Sequence, residues 1–104
     1  MIIIGITYPN APGARFDWTY YQARHLPMIG RKLGSLGLKS ASVIKGVEGA
    51  DGGDPPFIAV AFLTFASIEI ARSVLASAEA RELIADIANF TDIVPAIQLS
   101  SAVP

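Results

Sequence analysis

The run from Phe57 to Phe65 restricts the fold more than any other feature, because it is apolar at both odd and even positions. Side chains of a strand alternate between the two faces of a sheet, so this run predicts a central strand covered on both faces. Ile2 to Tyr8 is rich in β-branched residues and ends at the turn-forming segment Pro9 to Gly13. It predicts a first strand of similar character.

Two helical regions are predicted. Asp17 can cap a helix that runs to about Ser35, with Gly34 and Gly37 as candidate terminators. At about 100° per residue, five apolar side chains share one arc of this helix: Trp18, Leu26, Ile29, Leu33 and Leu36. In the second region Ser67 and Ser77 cap successive helical segments. Asn89 is predicted to end it, since asparagine tolerates the left-handed conformation.

Two further strands complete the chain. Leu38 to Gly46 carries polar side chains among its alternating positions, which suits a strand with a solvated edge. Val47 to Pro56 is rich in glycine and proline and is predicted to be a loop. Asp92 to Ser100 is the predicted last strand, and Pro95 inside it indicates an edge position because proline cannot donate to a ladder.

The predicted order β-α-β-β-α-β describes a single α+β domain over residues 1–104, a ferredoxin-like antiparallel sheet with its helices on one face. The first and third strands, the most apolar, should be central. Their second apolar face then has no helix to cover it. Two subunits packed sheet against sheet would bury this face, so we expect a homodimer.

Composition excludes several classes of function. Charged residues make up 16% of the chain against 52% hydrophobic, and the net charge of −1 disfavours nucleic acid and anionic membranes as partners. The absence of cysteine excludes disulfides, thiolate nucleophiles and cysteine-ligated metals. Met1 to Ile6 lacks signal-peptide features, and no apolar run reaches the roughly 18 residues of a membrane span. We expect a soluble, cytoplasmic protein.

His25, the only histidine, is the side chain best suited to exchange a proton near neutral pH. It falls at the edge of the apolar arc of the first helix, close to Tyr21 and Met28. Tyr21 is four residues earlier on the same face, so its hydroxyl could contact the imidazole or a bound substrate. Pro27 would cost an ordinary helix interior about 3 kcal/mol, which indicates either a shaped site or a simple bend around the sheet.

Taken together, Phe16-Asp17, Tyr20-Tyr21, His25-Leu26-Pro27 and the later segment Asn89 to Asp92 resemble the EthD family, named for ethyl tert-butyl ether degradation. The resemblance extends from Met1 to about Ser100. It implies a dimeric α+β barrel of two ferredoxin-like subunits. The same superfamily includes lactone isomerases, polyketide cyclases, cofactor-independent monooxygenases and some haem enzymes, so the fold alone does not determine the reaction.

The resemblance further implies a pocket between helices and sheet in which a histidine moves a proton. On that basis His25 is the predicted base, acting on an apolar carbonyl compound with Tyr21 beside it and without a cofactor. Trp18 and Met28 are predicted pocket walls. The reaction would be an isomerisation, a cyclisation or a related oxidation step in catabolism or secondary metabolism. The alternatives are a non-catalytic dimer that binds a small apolar metabolite in an oxidative degradation pathway, and an interaction module filled by its own side chains.

The remaining polar groups carry weaker signals. Gln98 either faces the ligand pocket from the last strand or faces water. The acidic loop with Glu48, Asp51 and Asp54 lacks the ligand spacing of a calcium loop, and one histidine without cysteine is too little for zinc. We therefore expect no metal. Haem with His25 as axial ligand is an alternative by superfamily analogy. Asn89 to Asp92 is expected mainly to end the helix and position the last strand.

Overall fold

A computed structural model describes all 104 residues. Its sheet contains β1 (Ile2–Pro9), β2 (Ser40–Lys45), β3 (Phe57–Phe65) and β4 (Ala96–Ser101). Helical structure forms two regions. The first comprises α1 (Trp18–Tyr20), a π-helical segment (Tyr21–His25), α2 (Leu26–Leu33) and a 3₁₀ turn (Gly34–Leu36). The second comprises α3 (Ile68–Leu75), α4 (Ala78–Asp86) and a 3₁₀ turn (Ile87–Asn89).

The four strands form one antiparallel sheet in the order β2-β3-β1-β4. The predicted ferredoxin-like α+β fold is therefore confirmed, with the first and third strands in the centre as their apolar composition indicated. In the register of β1, Ile4 lies opposite Leu63 of β3 and Leu99 of β4. These three side chains consequently point to the same face of the sheet.

The helices cover only one face of the sheet. The side chains of β1 and β3 that point to that face include six that are buried: Ile4, Tyr8, Ala59, Ala61, Leu63 and Phe65. The alternate side chains, among them Ile3, Val60 and Phe62, point to the other face and are only half-buried. This face, called the open face below, is apolar at its centre and has no helix against it.

Most of the predicted caps are confirmed. The carboxylate of Asp17 accepts a hydrogen bond from the Tyr20 amide, and the hydroxyls of Ser67 and Ser77 cap α3 and α4 in the same way. Gly37 ends the first helical region at a positive φ of 107°. The second helical region does end at Asn89, as predicted. The left-handed conformation expected there is wrong, since the only residues with positive φ are glycines. The Asn89 side chain instead donates to the carboxylate of Asp86.

The last strand begins later than predicted. Residues 92–95 lie outside β4, which starts at Ala96, directly after Pro95. A proline has no N–H to donate, so the ladder with β1 can begin only beyond it. The predicted edge position of this strand is confirmed. No helix is long and apolar enough to cross a membrane.

Pro27 does not interrupt the first helical region, because the backbone changes its hydrogen-bonding pattern just before it. The Leu26 amide donates to the carbonyl of Tyr21, five residues back, and α2 begins at Leu26. Pro27 thereby occupies the first turn of α2, where a missing N–H is tolerated. The predicted irregularity at Pro27 is real, and it takes the form of a π-helical turn, a feature often found at functional sites.

Candidate functional site

His25 lies at the end of the π-helical segment and is almost completely buried, with 3% of its surface exposed. Its imidazole is stacked on the ring of Tyr21 at a centroid distance of 5.4 Å. On another side the Phe90 ring lies 4.7 Å away. The side chain is therefore in contact with Tyr21 of the first helical region and with Phe90, the residue that follows the second.

A carboxylate fixes the orientation of the imidazole. The Nδ1 atom of His25 is 2.9 Å from Oδ2 of Asp86, the last residue of α4. The other carboxylate oxygen accepts hydrogen bonds from the Tyr20 hydroxyl at 2.6 Å and from the Asn89 amide at 2.9 Å. Three donors thus surround one carboxylate, and only one of them belongs to the predicted site.

These contacts determine the ionisation of the pair. Burial acts to raise the pKa of Asp86, but the hydrogen bonds from Tyr20, His25 and Asn89 outweigh it and leave that pKa below its usual value. An ionised carboxylate can only accept, so Nδ1 of His25 must carry a proton. Burial lowers the pKa of His25, and the hydrogen bond and charge of Asp86 oppose this effect without cancelling it. Near neutral pH the imidazole is therefore uncharged.

The second imidazole nitrogen, Nε2, has no hydrogen-bond partner in the chain. No buried side-chain nitrogen or oxygen is both sealed from solvent and without a partner, so Nε2 retains contact with solvent. In the tautomer that Asp86 imposes, Nε2 carries the lone pair. One nitrogen of the imidazole is therefore anchored by Asp86, and the other is an unprotonated acceptor without a partner in the chain.

Aromatic rings surround this histidine. Phe90 is completely buried and lies within 6.3 Å of four other aromatic rings besides His25, those of Tyr8, Phe16, Tyr20 and Tyr21. Trp18 adds a ring 5.5 Å from Tyr21. We call this group, consisting of Tyr8, Phe16, Trp18, Tyr20, Tyr21 and Phe90, the aromatic cluster. It gives the histidine a low-polarity environment, consistent with the lowered pKa of His25.

The segment Asn89 to Asp92 joins the two helical regions. The Asp17 amide donates to the Phe90 carbonyl at 2.7 Å, and the Thr91 hydroxyl donates to the Arg15 carbonyl at 2.5 Å. The Arg15 amide donates to the Asp92 carboxylate at 2.9 Å. These bonds fix the start of the first helical region against Phe90, which places Tyr21 and His25 beside Asp86.

The predicted site residues lie in three different places. His25, Tyr21 and Trp18 come together in or against the aromatic cluster. Met28 instead packs with the apolar core around Ile29 and Leu33. Gln98 pairs with Gly5 and points to the open face, where its amide donates to the Ser100 hydroxyl. Within one chain the sheet therefore separates Gln98 from His25.

Sequence reasoning missed Asp86, Tyr20, Tyr8 and Phe90 as parts of the site. Asp86 and His25 are 61 positions apart, and no local spacing relates them. One signal was available, because Asp86 and Asn89 are three residues apart at the end of an apolar helix, where a buried carboxylate would need donors. No group of three or more histidine, cysteine or acidic side chains lies close enough together to hold a metal ion.

An open apolar groove of about 360 Å³ borders the cluster. Ile87 and Ile93 belong both to its wall and to the packing around the aromatic rings. Three apolar side chains exposed at the surface also line the groove: Ile84, Val94 and Ile97. His25 is not among its lining residues.

The ferredoxin-like fold places the chain among small α+β proteins, and comparison with known proteins identifies the family. Residues 14–93 match the EthD domain. The chain belongs to the EthD family. Comparison with functionally curated proteins gave no match.

Solved structures support this assignment. An EthD-like protein from Ralstonia eutropha JMP134 is 38% identical, with a TM-score of 0.85 over 96% of this chain and 89% of that one. An ethyl tert-butyl ether degradation (EthD) family protein from Bacillus halodurans C-125 is 17% identical, with a TM-score of 0.77 over 99% of each chain. An antibiotic biosynthesis monooxygenase, 15% identical with a TM-score of 0.54 over the whole of both chains, shares the fold.

Proposed function

We propose that this protein is a small-molecule pathway enzyme in which neutral His25 acts as a general base on an apolar carbonyl compound, without a cofactor. The observation that supports this proposal best is the contrast between the two nitrogens of His25. Nδ1 is 2.9 Å from the Asp86 carboxylate, whereas Nε2 has no partner in the chain and retains contact with solvent. This arrangement suits proton abstraction by Nε2.

The proposed step is the removal of a proton from a carbon next to the substrate carbonyl. The electron pair of the C–H bond forms the C=C bond of an enolate, and the carbonyl oxygen takes the negative charge. The Tyr21 hydroxyl donates a hydrogen bond to that oxygen, while Asp86 stabilises the imidazolium that forms. Where the substrate carries a C=C bond conjugated with the enolate, return of the proton from Nε2 at the far carbon of that system completes an isomerisation. Attack of the enolate carbon on a second carbonyl of the substrate forms a C–C bond and an alkoxide, and transfer of the proton from Nε2 to this alkoxide completes a cyclisation.

Burial suits Tyr21 to this role. It raises the pKa of the Tyr21 hydroxyl to about 12, so the group is protonated and can donate near neutral pH. The ring of Trp18, 5.5 Å away, would form an apolar wall for the substrate. A positioned base contributes roughly 10²–10⁴-fold to a rate, so the loss of His25 should be easy to measure.

The test uses solvent-deuterium exchange into a panel of enolisable aryl ketones such as 2-tetralone, followed by NMR. The wild-type protein should accelerate exchange at the carbon next to the carbonyl, and His25→Ala should remove most of that acceleration. Retention of the rate by His25→Ala would disprove the base. If the wild type binds these ketones but accelerates no exchange, the non-catalytic binding protein becomes the better description.

We also propose that the protein forms a homodimer through the open face of the sheet. Half-buried Ile3, Val60 and Phe62 at the centre of that face support this proposal, because an apolar sheet surface of this kind favours association. Phe62→Glu should convert the dimer to a monomer in analytical ultracentrifugation. Arg72→Glu, which introduces the same carboxylate on the exposed surface of α3, is the control and should leave the dimer intact.

A further inference from the structure

Tyr8 is a buried polar side chain that the proposed reaction leaves unused. It lies on β1 with 1% of its surface exposed, and its ring contacts that of Tyr21 edge-on at a centroid distance of 6.5 Å. Phe16 and Phe90 enclose it at 5.4 Å and 5.9 Å. Phenylalanine would satisfy all of these ring contacts, so the hydroxyl needs a separate explanation.

The hydroxyls of Tyr8 and Tyr21 share an unusual property. Each belongs to a side chain that is only 1% exposed, and neither has a hydrogen-bond partner in the chain. A buried tyrosine hydroxyl normally finds a partner. Even the hydroxyl of the partly exposed Tyr20 donates to Asp86. Since no sealed side-chain oxygen in the chain lacks a partner, both hydroxyls retain contact with solvent at their tips. The rings of Tyr8 and Tyr21 are therefore buried, while their hydroxyl groups are donors without a partner in the chain.

A positive charge lies at the same end of the sheet. Lys45, Ala59 and Tyr8 are paired in consecutive strands and point to the face that the helices cover. The Lys45 ammonium is 5.1 Å from the centre of the Trp18 ring, which in turn contacts Tyr21. Only the methyl group of Ala59 stands between the lysine and Tyr8 along this row. A ligand oxygen that carries negative charge is favoured in this environment.

We propose that Tyr8 is a second hydrogen-bond donor of the site and that Tyr8 and Tyr21 together hold the oxygen of an aromatic enol or phenol. This inference deepens the proposed function, on which it rests, by naming the ligand class. Paired donors favour the enolate over the neutral ketone, because hydrogen bonds to a charged oxygen are stronger. A planar ring attached to that oxygen would make face or edge contacts with the rings of the aromatic cluster.

Both hydroxyls remain protonated in this arrangement. Burial raises the pKa of Tyr8 well above its ordinary value, and the neighbouring Tyr21 adds to the effect. The pKa of Tyr21 is raised to about 12 by burial. Both groups therefore donate and neither competes with the ligand for negative charge.

The experiment uses 2-naphthol, the aromatic counterpart of the enol of 2-tetralone, with naphthalene as the matched ligand that lacks the oxygen. Wild type should bind 2-naphthol more tightly than naphthalene. Tyr8→Phe should weaken the binding of 2-naphthol about tenfold, the effect expected for one hydrogen bond to a charged or strongly polar oxygen. The affinity for naphthalene should not change. Tyr21→Phe is expected to behave in the same way.

Several results would overturn the inference. If Tyr8→Phe lowers the affinity for 2-naphthol and for naphthalene equally, Tyr8 has a packing role. If the affinity for 2-naphthol does not change, the hydrogen bond is excluded. A wild-type protein that does not prefer 2-naphthol would exclude the ligand class. If Tyr8→Phe folds poorly, a crystal structure of the wild type with 2-naphthol decides, since the oxygen must lie within hydrogen-bond distance of both hydroxyls. Loss of deuterium exchange in His25→Ala tests the base separately, so either proposal can fail alone.

Discussion

His25 and Asp86 form a hydrogen-bonded pair whose Nδ1 to Oδ2 distance is 2.9 Å, although one residue ends a π-helical segment and the other ends α4. Each side chain is at least nine-tenths buried, with 4% and 10% of its surface exposed. The carboxylate fixes the imidazole tautomer, and the rings of Tyr21 and Phe90 fix its plane. The pair therefore links the two helical regions to the proposed chemistry.

We predict that Asp86→Asn abolishes most of the exchange activity while preserving the shape of the site. The asparagine amide group in place of Oδ2 would donate to Nδ1, which would move the imidazole proton to Nε2 and remove the basic lone pair. The rate of deuterium exchange should fall at least about tenfold, and at most by the roughly 10²–10⁴-fold that a positioned base contributes. Imidazole ¹⁵N chemical shifts report the tautomer directly.

Asp54→Asn, a change in the exposed loop before β3, is the control for Asp86→Asn and should leave the rate unchanged. Asp86→Asn should also lower the pKa of His25 further, because the Asp86 charge favours the imidazolium. Wild-type activity with an unchanged tautomer in Asp86→Asn would contradict the positioning role.

Stability should depend on pH through the same pair. Burial holds the pKa of His25 below 6.5, so the unfolded chain takes up the proton at a higher pH than the folded chain. The free energy of unfolding should therefore decrease as pH falls below about 6.5. Asp86, whose pKa lies below 3.8, adds a second loss in the same direction as pH falls through that value.

Urea denaturation of wild type and His25→Gln across this range measures the first effect. As His25 is the only histidine, the decrease that begins near pH 6.5 should be absent from the variant. The further decrease in the free energy of unfolding at the lower pH, attributed to Asp86, should remain. Parallel curves for the two proteins would show that His25 does not titrate as proposed.

Phe90 should be the most sensitive packing position of the aromatic cluster. It has no exposed surface and contacts rings from β1 and from the first helical region. Phe90→Ala should lower the free energy of unfolding by about 3–5 kcal/mol, as expected for truncation of a buried aromatic side chain. Phe57→Ala is the control, since Phe57 is 46% exposed and should lose much less. Similar losses in the two variants would contradict the central role of Phe90.

The fold was predictable because its signals are local. The doubly apolar pattern of β3 and the β-branched β1 indicated the central strands, while Asp17, Ser67 and Ser77 marked the helix starts by their capping chemistry. The errors occurred where a local signal was outweighed. β4 begins only after Pro95, which cannot donate a hydrogen bond to the ladder. Asn89 does not adopt the left-handed conformation, and its side chain donates to Asp86.

The candidate site was predictable only in part, since half of it depends on tertiary contacts. His25 and Tyr21 are four residues apart on one helical face, a relationship that the sequence contains. The distance between His25 and Asp86 depends on how α4 packs beside the first helical region, which no spacing encodes. Strand parity alone does not indicate which face of a sheet the helices cover, so the sequence could not decide whether Gln98 faces the pocket or water.

Pro27 should maintain the π-helical segment that precedes it. Pro27→Ala restores an N–H that can donate to the Ala23 carbonyl, which favours continuation of the α-helical pattern through residues 21–25. Loss of the extra residue of a π turn would rotate the preceding side chains by about 100° relative to α2, one residue of an α-helix. The rotation would disturb the packing of buried Tyr21 and His25, and this loss would offset the gain from the restored hydrogen bond. We therefore expect the free energy of unfolding to change by no more than about 1 kcal/mol. Exchange activity should fall clearly, because His25 would be displaced.

Amide hydrogen exchange decides whether Pro27 has this role. In wild type the Leu26 amide is bonded to the Tyr21 carbonyl, and this pattern should change in Pro27→Ala. Pro95→Ala, which lies before β4 and outside the aromatic cluster, is the control and should leave the first helical region unchanged. If Pro27→Ala keeps wild-type protection and activity, packing of the cluster alone maintains the π turn, and the proline is tolerated there because it occupies the first turn of α2.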